Sequence, residues 1–461
     1  ASGLVGALVV DASGTDSVGV AINAGNLLIT TSTADTITGS ASTTSFDSLV
    51  GTFAATDTSA EFTQISGIED YTLTFKDAVA ITTAANDHLG DNGDSAIKTV
   101  TMTGGNSLSK YIATAAGAID GAKLTSFDAS GLGGEISLRV DGGLMDTLTV
   151  KGSTASAKDA VVFDAVNGLV SASTGKATTE GVETITLTTV TAASTIDTAG
   201  MVGLKTIAVE NNQNVTLNNV AAGVVVQLGE SVTAGLEDYT GSLTVKLADA
   251  TGTADALTVQ TIGSGIDDDI DAALTIAGVE TVTLKMAAIA SAANADIDVS
   301  GVAATKLIVT GGAVSEDLNL ALTTAGAASK MNAATTTMDA SAFLGPLTVA
   351  AETNTGVTMI ANGGAVATLT GSSTADTFTI GKTSAVTHVV EGGTGSDTVN
   401  LTLNTGTTIV TGLNDVETYN IAVDSSAVAV VVTSSAGTFW NDTVVETVNL
   451  TGGSSNSTYD S

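Results

Sequence analysis

The chain of 461 residues contains no cysteine, one proline, one tryptophan and only 3% aromatic residues. The lack of cysteine excludes a disulfide scaffold and any metal site built on thiolates. Most positions are Ala, Thr, Gly, Val, Ser, Leu or Asp, and small or β-branched side chains suit flat, closely stacked sheets. Mean hydropathy is +0.37, which argues against disorder. The composition therefore favours an ordered, β-rich protein.

Basic residues are also scarce, since 14 Lys and Arg stand against 48 Asp and Glu. A nucleic-acid-binding protein needs a basic surface, so nucleic acid is excluded as a partner. No run approaches the roughly 20 apolar residues of a membrane-spanning helix, and we expect no membrane span. The excess carboxylates repel one another unless ions or solvent compensate their charge. A solubilising surface and the binding of divalent cations both remain open, and the recurrence of Asp at fixed places favours cations.

Three short phrases recur along the chain. The first, typified by GVETITL, begins at Gly67, Gly181, Gly278, Asp415 and Val444. The second is an apolar residue followed by Asp, two small residues and usually Gly, with its Asp at Asp11, Asp128, Asp197, Asp298 and Asp339. The third is a turn of small residues that contains Ala-Asp and is followed by alternating apolar and polar residues. Its Asp is at Asp35, Asp255 and Asp376. Recurring strand-like units indicate a fold built by stacking copies of one unit.

Alternating apolar and polar residues between Gly-, Asn-, Asp- and Ser-rich turns predict many short strands. Examples are residues 148–150, 243–247, 307–309, 347–349 and 399–403. We predict an all-β fold of elongated β-solenoid or β-helix-like repeat modules with short helical or loop insertions. The Ala-rich insertions lie at residues 286–295 and 321–331.

The phrases cycle about four times, which predicts four β modules. Their soft boundaries give residues 1–90, 91–190, 191–290 and 291–461, with turns like those of RTX proteins in the fourth module. The sequence has no initiator Met or signal peptide pattern at its start, so we expect a processed or partial product.

Residues 392–400, GGTGSDTVN, fit the nonapeptide G-G-x-G-x-D-x-U-x. In that repeat, glycines form tight turns with exposed carbonyl groups and the carboxylate completes an oxygen cage for Ca²⁺. The candidate ligands are Gly393, Gly395 and Asp397. A degenerate copy in residues 371–378 adds Asp376. A calcium site of this kind needs two stacked turns, and the 21 residues from Asp376 to Asp397 are not a multiple of nine.

Two further loops concentrate oxygen ligands, residues 86–94 (NDHLGDNGD) and residues 263–271 (GSGIDDDID). Neither follows the twelve-residue EF-hand loop. Solvated acidic turns and cation sites are both open explanations. Mutual repulsion of adjacent carboxylates favours a cation site in the second loop. The candidate metal ligands in the two loops are Asp91, Asp94, Asp267, Asp269 and Asp271.

The recurring acids also have a structural explanation. An Asp before a small residue readily accepts backbone N–H bonds within a turn, and we prefer this role for the Asp of the second phrase. We expect the Glu of the first phrase to cap or pair at the entry of a strand. Stacking of such positions would allow cation bridging as well.

The Val-Glu-Thr and Asp-Ala-Ser-Gly phrases, the nonapeptide and the composition together resemble bacterial surface-layer proteins of the Caulobacter-like, RTX-related family. The resemblance spans most of the chain and implies export by type I secretion. It also implies a calcium-dependent crystalline coat of β-rich arms around the cell. The anchoring region and the secretion signal of that family have no evident match here.

We therefore expect a non-catalytic structural protein that assembles with copies of itself into an extracellular surface layer, with Ca²⁺ bridging acidic loops. An envelope glycan or lipopolysaccharide would be an anchoring partner, contacted by a region outside this sequence. One alternative is a repeat-built adhesin or extracellular filament subunit. A less favoured one is a β-helical polysaccharide-active enzyme, because catalytic motifs, aromatic platforms and basic groups are sparse.

Overall fold

We describe the protein from a computed structural model. It describes residues 9–11, 19–21, 36–38, 48–53, 65–66, 69–76, 78, 80–83, 97–113, 123–164, 177–188, 192–210, 214–229, 241–262, 270–287, 294–312, 317–320, 323–324, 327–328, 330–351, 356–383, 388–403, 406–410, 413–424, 430–434, 444–452 and 458–460. The chain forms two compact units, Ala1–Glu210 with Leu217–Val224, and Asn211–Thr216 with Val225–Ser461. We call them unit 1 and unit 2.

The protein is almost entirely β-structure. The strands up to residue 220 are β1 (Val9–Asp11), β2 (Gly19–Ala21), β3 (Thr36–Thr38), β4 (Ser48–Phe53), β5 (Ile65–Ser66), β6 (Asp70–Phe75), β7 (Ala80–Thr83), β8 (Thr99–Gly104), β9 (Lys110–Ala113), β10 (Ser126–Leu132), β11 (Glu135–Asp141), β12 (Thr149–Lys151), β13 (Ala160–Asp164), β14 (Thr178–Glu180), β15 (Thr184–Leu187), β16 (Ser194–Asp197), β17 (Met201–Val202), β18 (Thr206–Val209) and β19 (Val215–Val220).

The strands after residue 220 are β20 (Val225–Gly229), β21 (Ser242–Leu247), β22 (Ala256–Ile262), β23 (Ile270–Ala277), β24 (Thr281–Met286), β25 (Asn294–Val302), β26 (Lys306–Gly311), β27 (Asp317–Asn319), β28 (Thr323–Thr324), β29 (Ala327–Ala328), β30 (Thr337–Phe343), β31 (Leu347–Ala350), β32 (Thr358–Ala361), β33 (Ala367–Thr370), β34 (Thr377–Thr383), β35 (Val389–Glu391), β36 (Thr398–Leu403), β37 (Gly406–Val410), β38 (Leu413–Asn414), β39 (Thr418–Val423), β40 (Val430–Ser434), β41 (Thr447–Gly452) and β42 (Thr458–Asp460).

Unit 1 winds as a solenoid whose successive strands alternate between two parallel sheets. One sheet has the order β2-β4-β6-β8-β10-β12-β14-β17, and the other includes β7-β9-β11-β13-β15-β18. A third, short sheet has the order β1-β3-β5. Parallel strands need crossover connections, and the strand in the other sheet forms part of each crossover.

Unit 2 repeats this winding. Its two long parallel runs are β20-β22-β24-β26-β30-β32-β34-β36-β39-β41 and β21-β23-β25-β27-β31-β33-β35-β38, with a short third sheet β37-β40-β42. Thr358, Thr377, Thr398 and Thr418 are successive register partners, so the coils there contain 19, 21 and 20 residues. The 21-residue interval between Asp376 and Asp397 is therefore one coil.

The core of each unit lies between its sheets and follows from the alternation of apolar and polar residues. In β11 every second residue is buried, and in β36 the buried positions are Val399, Leu401 and Leu403. Each fully buried aliphatic side chain contributes about 1.5–3 kcal/mol through removal of apolar surface from water. The bulkiest fully buried side chains are Tyr71, Tyr111, Tyr419, Phe75, Phe127, Phe163, Phe343 and Phe378.

The predicted all-β solenoid fold and the strands read from the alternation are confirmed. The described part of the chain has only two helical turns, the 3-10 helices Gly142–Asp146 and Thr198–Gly200. In the first Ala-rich insertion, β24 ends at Met286 and β25 starts at Asn294. In the second, β28 pairs antiparallel with β29. The four modules stay a prediction. No helix among the described residues is long and apolar enough to cross a membrane.

Candidate functional site

The residues that precede the strands of one sheet form a stack in unit 2. Since the first residues of β32, β34, β36 and β39 are register partners, Val357, Asp376, Asp397 and Glu417 lie one coil apart. Neighbouring strands are about 4.8 Å apart in a sheet, so three acidic residues follow one another at close range. We call these four residues the entry ladder of unit 2.

A regular hydrogen-bond scheme connects the entry ladder. The backbone N–H of Val357 donates to Asp376 Oδ1 at 2.7 Å, and the N–H of Asp376 donates to Asp397 Oδ1 at 2.7 Å. The N–H of Asp397 in turn donates to Glu417 Oε2 at 2.6 Å. Each acidic side chain thus accepts the N–H that its neighbour presents at the start of a strand, where a buried donor left without an acceptor would be costly.

The Glu of the Val-Glu-Thr phrase has this role in both units, so the expected cap at the strand entry is confirmed. The three bonds join Asp159 N to Glu183 Oε2 at 2.9 Å, Asp255 N to Glu280 Oε2 at 2.8 Å and Asp397 N to Glu417 Oε2 at 2.6 Å. The phrase thus provides the same cap at three separate coils of the solenoid.

The turn of residues 371–376 closes on its own carboxylate. Ser372 N donates to Asp376 Oδ2 at 2.5 Å and Ser372 Oγ donates to Asp376 Oδ1 at 3.1 Å. Gly371 permits this closure, because a Cβ there would lie 2.1 Å from the carbonyl oxygen of Gly392 and 2.6 Å from Asp376 Oδ2. Both oxygens of Asp376 therefore accept backbone N–H groups within a buried site.

The turn of residues 392–397 is stacked on it but leaves one oxygen unpaired. Asp397 is 0% exposed, and its Oδ2 atom has no hydrogen-bond partner among the described residues. Gly393, which replaces the serine of the other turn, has a left-handed backbone with φ of +97°. A Cβ on Gly392 would lie 1.9 Å from the Asp415 carbonyl oxygen and 2.8 Å from Asp397 Oδ2, so both oxygens lie close to Gly392.

Burial and neighbouring acids change the protonation of this site. Removal from water, together with the nearby Asp376, Glu417 and Asp415 carboxylates, raises the pKa of Asp397 to about 6 against the opposing effect of the bond from Asp376 N. Burial likewise raises the pKa of Asp159 to about 6, with Glu183 adding to the rise. A buried anion of this kind is stabilised by a proton or by a cation.

The structure brings four of the sequence-predicted metal ligands together, namely Gly393, Gly395, Asp397 and Asp376. Gly393 and Gly395 both have left-handed backbones, with φ of +97° and +144°. A Cβ on Gly393 would lie 2.1 Å from the Ser372 carbonyl oxygen. The glycines are thus required by close stacking of one turn on the next.

Within the described residues, the structure does not bring the other predicted ligands together. Asp91, Asp94, Asp267 and Asp269 lie outside the described residues. Asp271 is the second residue of β23 and the register partner of Asp296. Across the described ranges, no group of three or more His, Asp or Glu side chains could hold a metal ion.

The Asp of the second phrase caps a turn, as preferred from the sequence. Ser130 N donates to Asp128 Oδ1 at 2.9 Å, and Ser341 N donates to Asp339 Oδ1 at 3.2 Å. In both strands the pairing register shifts just after the Asp. The phrase therefore builds a β-bulge with an internal cap.

Two functional positions were missed by sequence reasoning. Asp159 accepts Ile136 N at 2.9 Å and Ser153 N at 2.6 Å, like Asp376. His388 accepts Ala367 N at its Nδ1 atom at 3.3 Å, and burial lowers its pKa to about 4. A Gly-Ser pair before Asp159 was an available signal, but the six residues between Gly152 and Asp159 differ from the four between Gly371 and Asp376 in the other turn.

No family model, curated protein or solved structure matches the chain.

Proposed function

We propose that the protein is a non-catalytic structural component of an extracellular surface layer at the cell surface, assembled from copies of itself in a calcium-dependent manner. The observation that carries this proposal is the buried, unpaired Oδ2 atom of Asp397 within a stack of acidic turns. An anion in that position makes the local structure dependent on a compensating cation at neutral pH.

The fold supports a scaffold. Each unit repeats one coil with short turns, and its sheets are held by main-chain hydrogen bonds in register. Acidic caps at the strand entries hold buried N–H groups in successive coils. Such quasi-one-dimensional folds build extended surfaces from few residue types. A protein of this kind gains its function from surfaces that contact other copies.

The chemistry of the turn at residues 392–397 fits Ca²⁺. Hard cations prefer carboxylate and carbonyl oxygens, and Asp397 Oδ2 and the Asp415 carbonyl oxygen both lie close to Gly392. Asp397 Oδ1 stays with Asp376 N, so binding would leave the entry ladder intact. Bound calcium would neutralise the buried carboxylate and join two coils through their oxygen atoms.

Electron microscopy of the full chain with calcium and with a chelator tests the proposal. We expect ordered sheets with calcium and dispersed protein with the chelator. Asp397→Asn should weaken the calcium response, whereas Asp146→Asn, which removes one exposed carboxylate, should keep it. Sheets of unchanged order in the chelator would contradict the calcium mechanism. Protein that never forms sheets would contradict the surface-layer assignment.

A further inference from the structure

A left-handed position is occupied by Asp in one of the three copies of the Val-Glu-Thr phrase whose Glu caps the N–H of an Asp. In the other two copies the residue two places before that Glu is Gly181 or Gly278, with φ of +67° and +71°. In the third it is Asp415, with φ of +52°. Glycine adopts this backbone freely, whereas other residues enter it at a cost. The chain therefore keeps an aspartate where glycine would be less strained.

The capped Asp residues differ in the same way. In two of the three coils the Oδ2 atom of this Asp accepts an N–H from its own turn, at 2.6 Å for Asp159 and at 3.1 Å for Asp255. In the third coil Asp397 is 0% exposed, and its Oδ2 atom has no partner among the described residues. Asp415 thus takes the place of glycine beside the one carboxylate of the three that lacks this bond.

Both oxygen-bearing groups of Asp415 lie near the Asp397 side chain. A Cβ on Gly392 would be 1.9 Å from the Asp415 carbonyl oxygen and 2.8 Å from Asp397 Oδ2, so these oxygens are no farther apart than the sum of the two distances. Oxygens that share one Ca²⁺ ion can be about 5 Å apart, because each lies about 2.3–2.6 Å from it. The Asp415 carboxylate is also among the charges that raise the pKa of Asp397.

The Asp415 carboxylate is available as a ligand. It is exposed and forms no hydrogen bond or ion pair among the described residues. The neighbouring acids are already engaged, since Asp376 accepts N–H groups at both oxygens and Glu417 accepts Asp397 N at Oε2. The sequence has no Lys or Arg after Lys382. The two carboxylates therefore have no basic partner from the coils that carry them.

We propose that the Asp415 carboxylate is a ligand of the cation held by Asp397 Oδ2, so that one Ca²⁺ ion joins the turn of residues 392–397 to the coil that follows it. This inference deepens the proposed function and rests on it for the identity of the ion. A site of stacked nonapeptide turns would instead lie between residues 371–376 and 392–397. The following coil is favoured, because hydrogen bonds already occupy both oxygens of Asp376.

Calorimetric titration of the full chain with calcium chloride tests the assignment. Asp415→Asn keeps the size of the side chain and removes its charge, so it should weaken the calcium site that depends on Asp397 about tenfold or more. The double variant Asp397→Asn with Asp415→Asn should lose no more binding than Asp397→Asn alone, since both residues serve one ion.

Gly181→Asp is the matched control. It places the same acid in the coil next to Asp159, both of whose oxygens already accept N–H groups. The new side chain has room, because the nearest atom to a Cβ on Gly181 is the Gly152 carbonyl oxygen at 3.7 Å. We expect this variant to add no calcium site, since an acid at this position needs an unpaired oxygen beside it.

Asp415→Gly separates a ligand from a purely structural aspartate. Glycine relieves the left-handed backbone, so this variant should unfold at a higher temperature than the native chain in a chelator. Calcium should then raise its unfolding temperature by less than it raises that of the native chain. A structural role alone would give both proteins the same rise with calcium, and that result would overturn the assignment.

The remaining outcomes distinguish this inference from the proposed function. Native calcium affinity in Asp415→Asn, or a further loss of binding in the double variant, would overturn only the role of Asp415. Absence of any calcium binding that depends on Asp397 would overturn both the role of Asp415 and the calcium mechanism. A calcium site that needs both residues, in a protein that forms no sheets, would overturn only the proposed surface layer.

Discussion

Two stacked turns of unit 2 carry an Asp at the same position but differ in how its charge is held. In residues 371–376 both carboxylate oxygens of Asp376 accept backbone N–H groups. In residues 392–397 only Oδ1 of Asp397 does, and Gly393, at the position of Ser372, has a left-handed backbone. The comparison teaches that one acidic position in a solenoid can be a structural cap in one coil and a candidate ion site in the next.

The largest expected difference between the turns comes from removal of each charge. Asp376→Asn should lower the free energy of unfolding by about 1–3 kcal/mol, since one of two buried N–H donors then faces an amide NH₂ group. Asp397→Asn should cost little or stabilise the protein in a chelator at neutral pH, because the unpaired oxygen loses its charge. Denaturant unfolding of both variants measures this difference. Equal losses would contradict the distinction between cap and ion site.

Dependence on pH gives the next largest effect. The pKa of Asp397 in the folded protein, about 6, is above its ordinary value of 3.8. Its contribution to stability is therefore fully present below about pH 3.8 and is lost as pH rises through about 6. In a chelator, the difference in unfolding free energy between the native chain and Asp397→Asn should change over that range. A constant difference from pH 4 to 7 would contradict a buried, unpaired carboxylate.

Much of the fold was predictable, because the alternation of apolar and polar residues indicates which side chains lie on the inner and outer faces of a strand. The capping role of Asp128 was also predictable, since a short Asp side chain bonds to nearby backbone, and a cap at a strand entry was expected for Glu183 without its partner being known. The stacking of Asp159 on Glu183 was not predictable, because coils differ in length and the sequence therefore does not show which positions become register partners. The left-handed φ of Gly393 was equally hidden, since glycine adopts either hand. The candidate ion site at Asp397 likewise depends on the register of stacked coils and on the backbone of Gly393.

His388 provides a pH effect of opposite sign. It accepts Ala367 N at a strand entry, as the Asp residues do, but burial lowers its pKa from 6.5 to about 4. Its contribution to stability is present above about pH 6.5 and is lost as pH falls through about 4. His388→Gln should reduce the loss of stability between pH 6.5 and 4, as measured by thermal unfolding. An unchanged acid profile would contradict neutral His388 as the acceptor.

The smallest effect is expected from exchanging one residue between the two turns. Ser372→Gly gives the turn of residues 371–376 the glycine that Gly393 provides in the next coil. The hydroxyl bonds of Ser372 with Asp376 and Thr374 are lost, which should cost about 0.5–1.5 kcal/mol. The main-chain N–H at position 372 should still reach Asp376 Oδ2, because the substitution removes only the side chain.

Titration of this variant with calcium completes the comparison. We expect its unfolding temperature to rise with calcium by the same amount as that of the native chain, since Asp397 is unchanged and Asp376 keeps both donors. Ser372→Ala is the matched control, because it removes the hydroxyl without the conformational freedom of glycine. A calcium response in Ser372→Gly that exceeds those of both the native chain and Ser372→Ala would mean that glycine at this position is sufficient to convert a cap into an ion site.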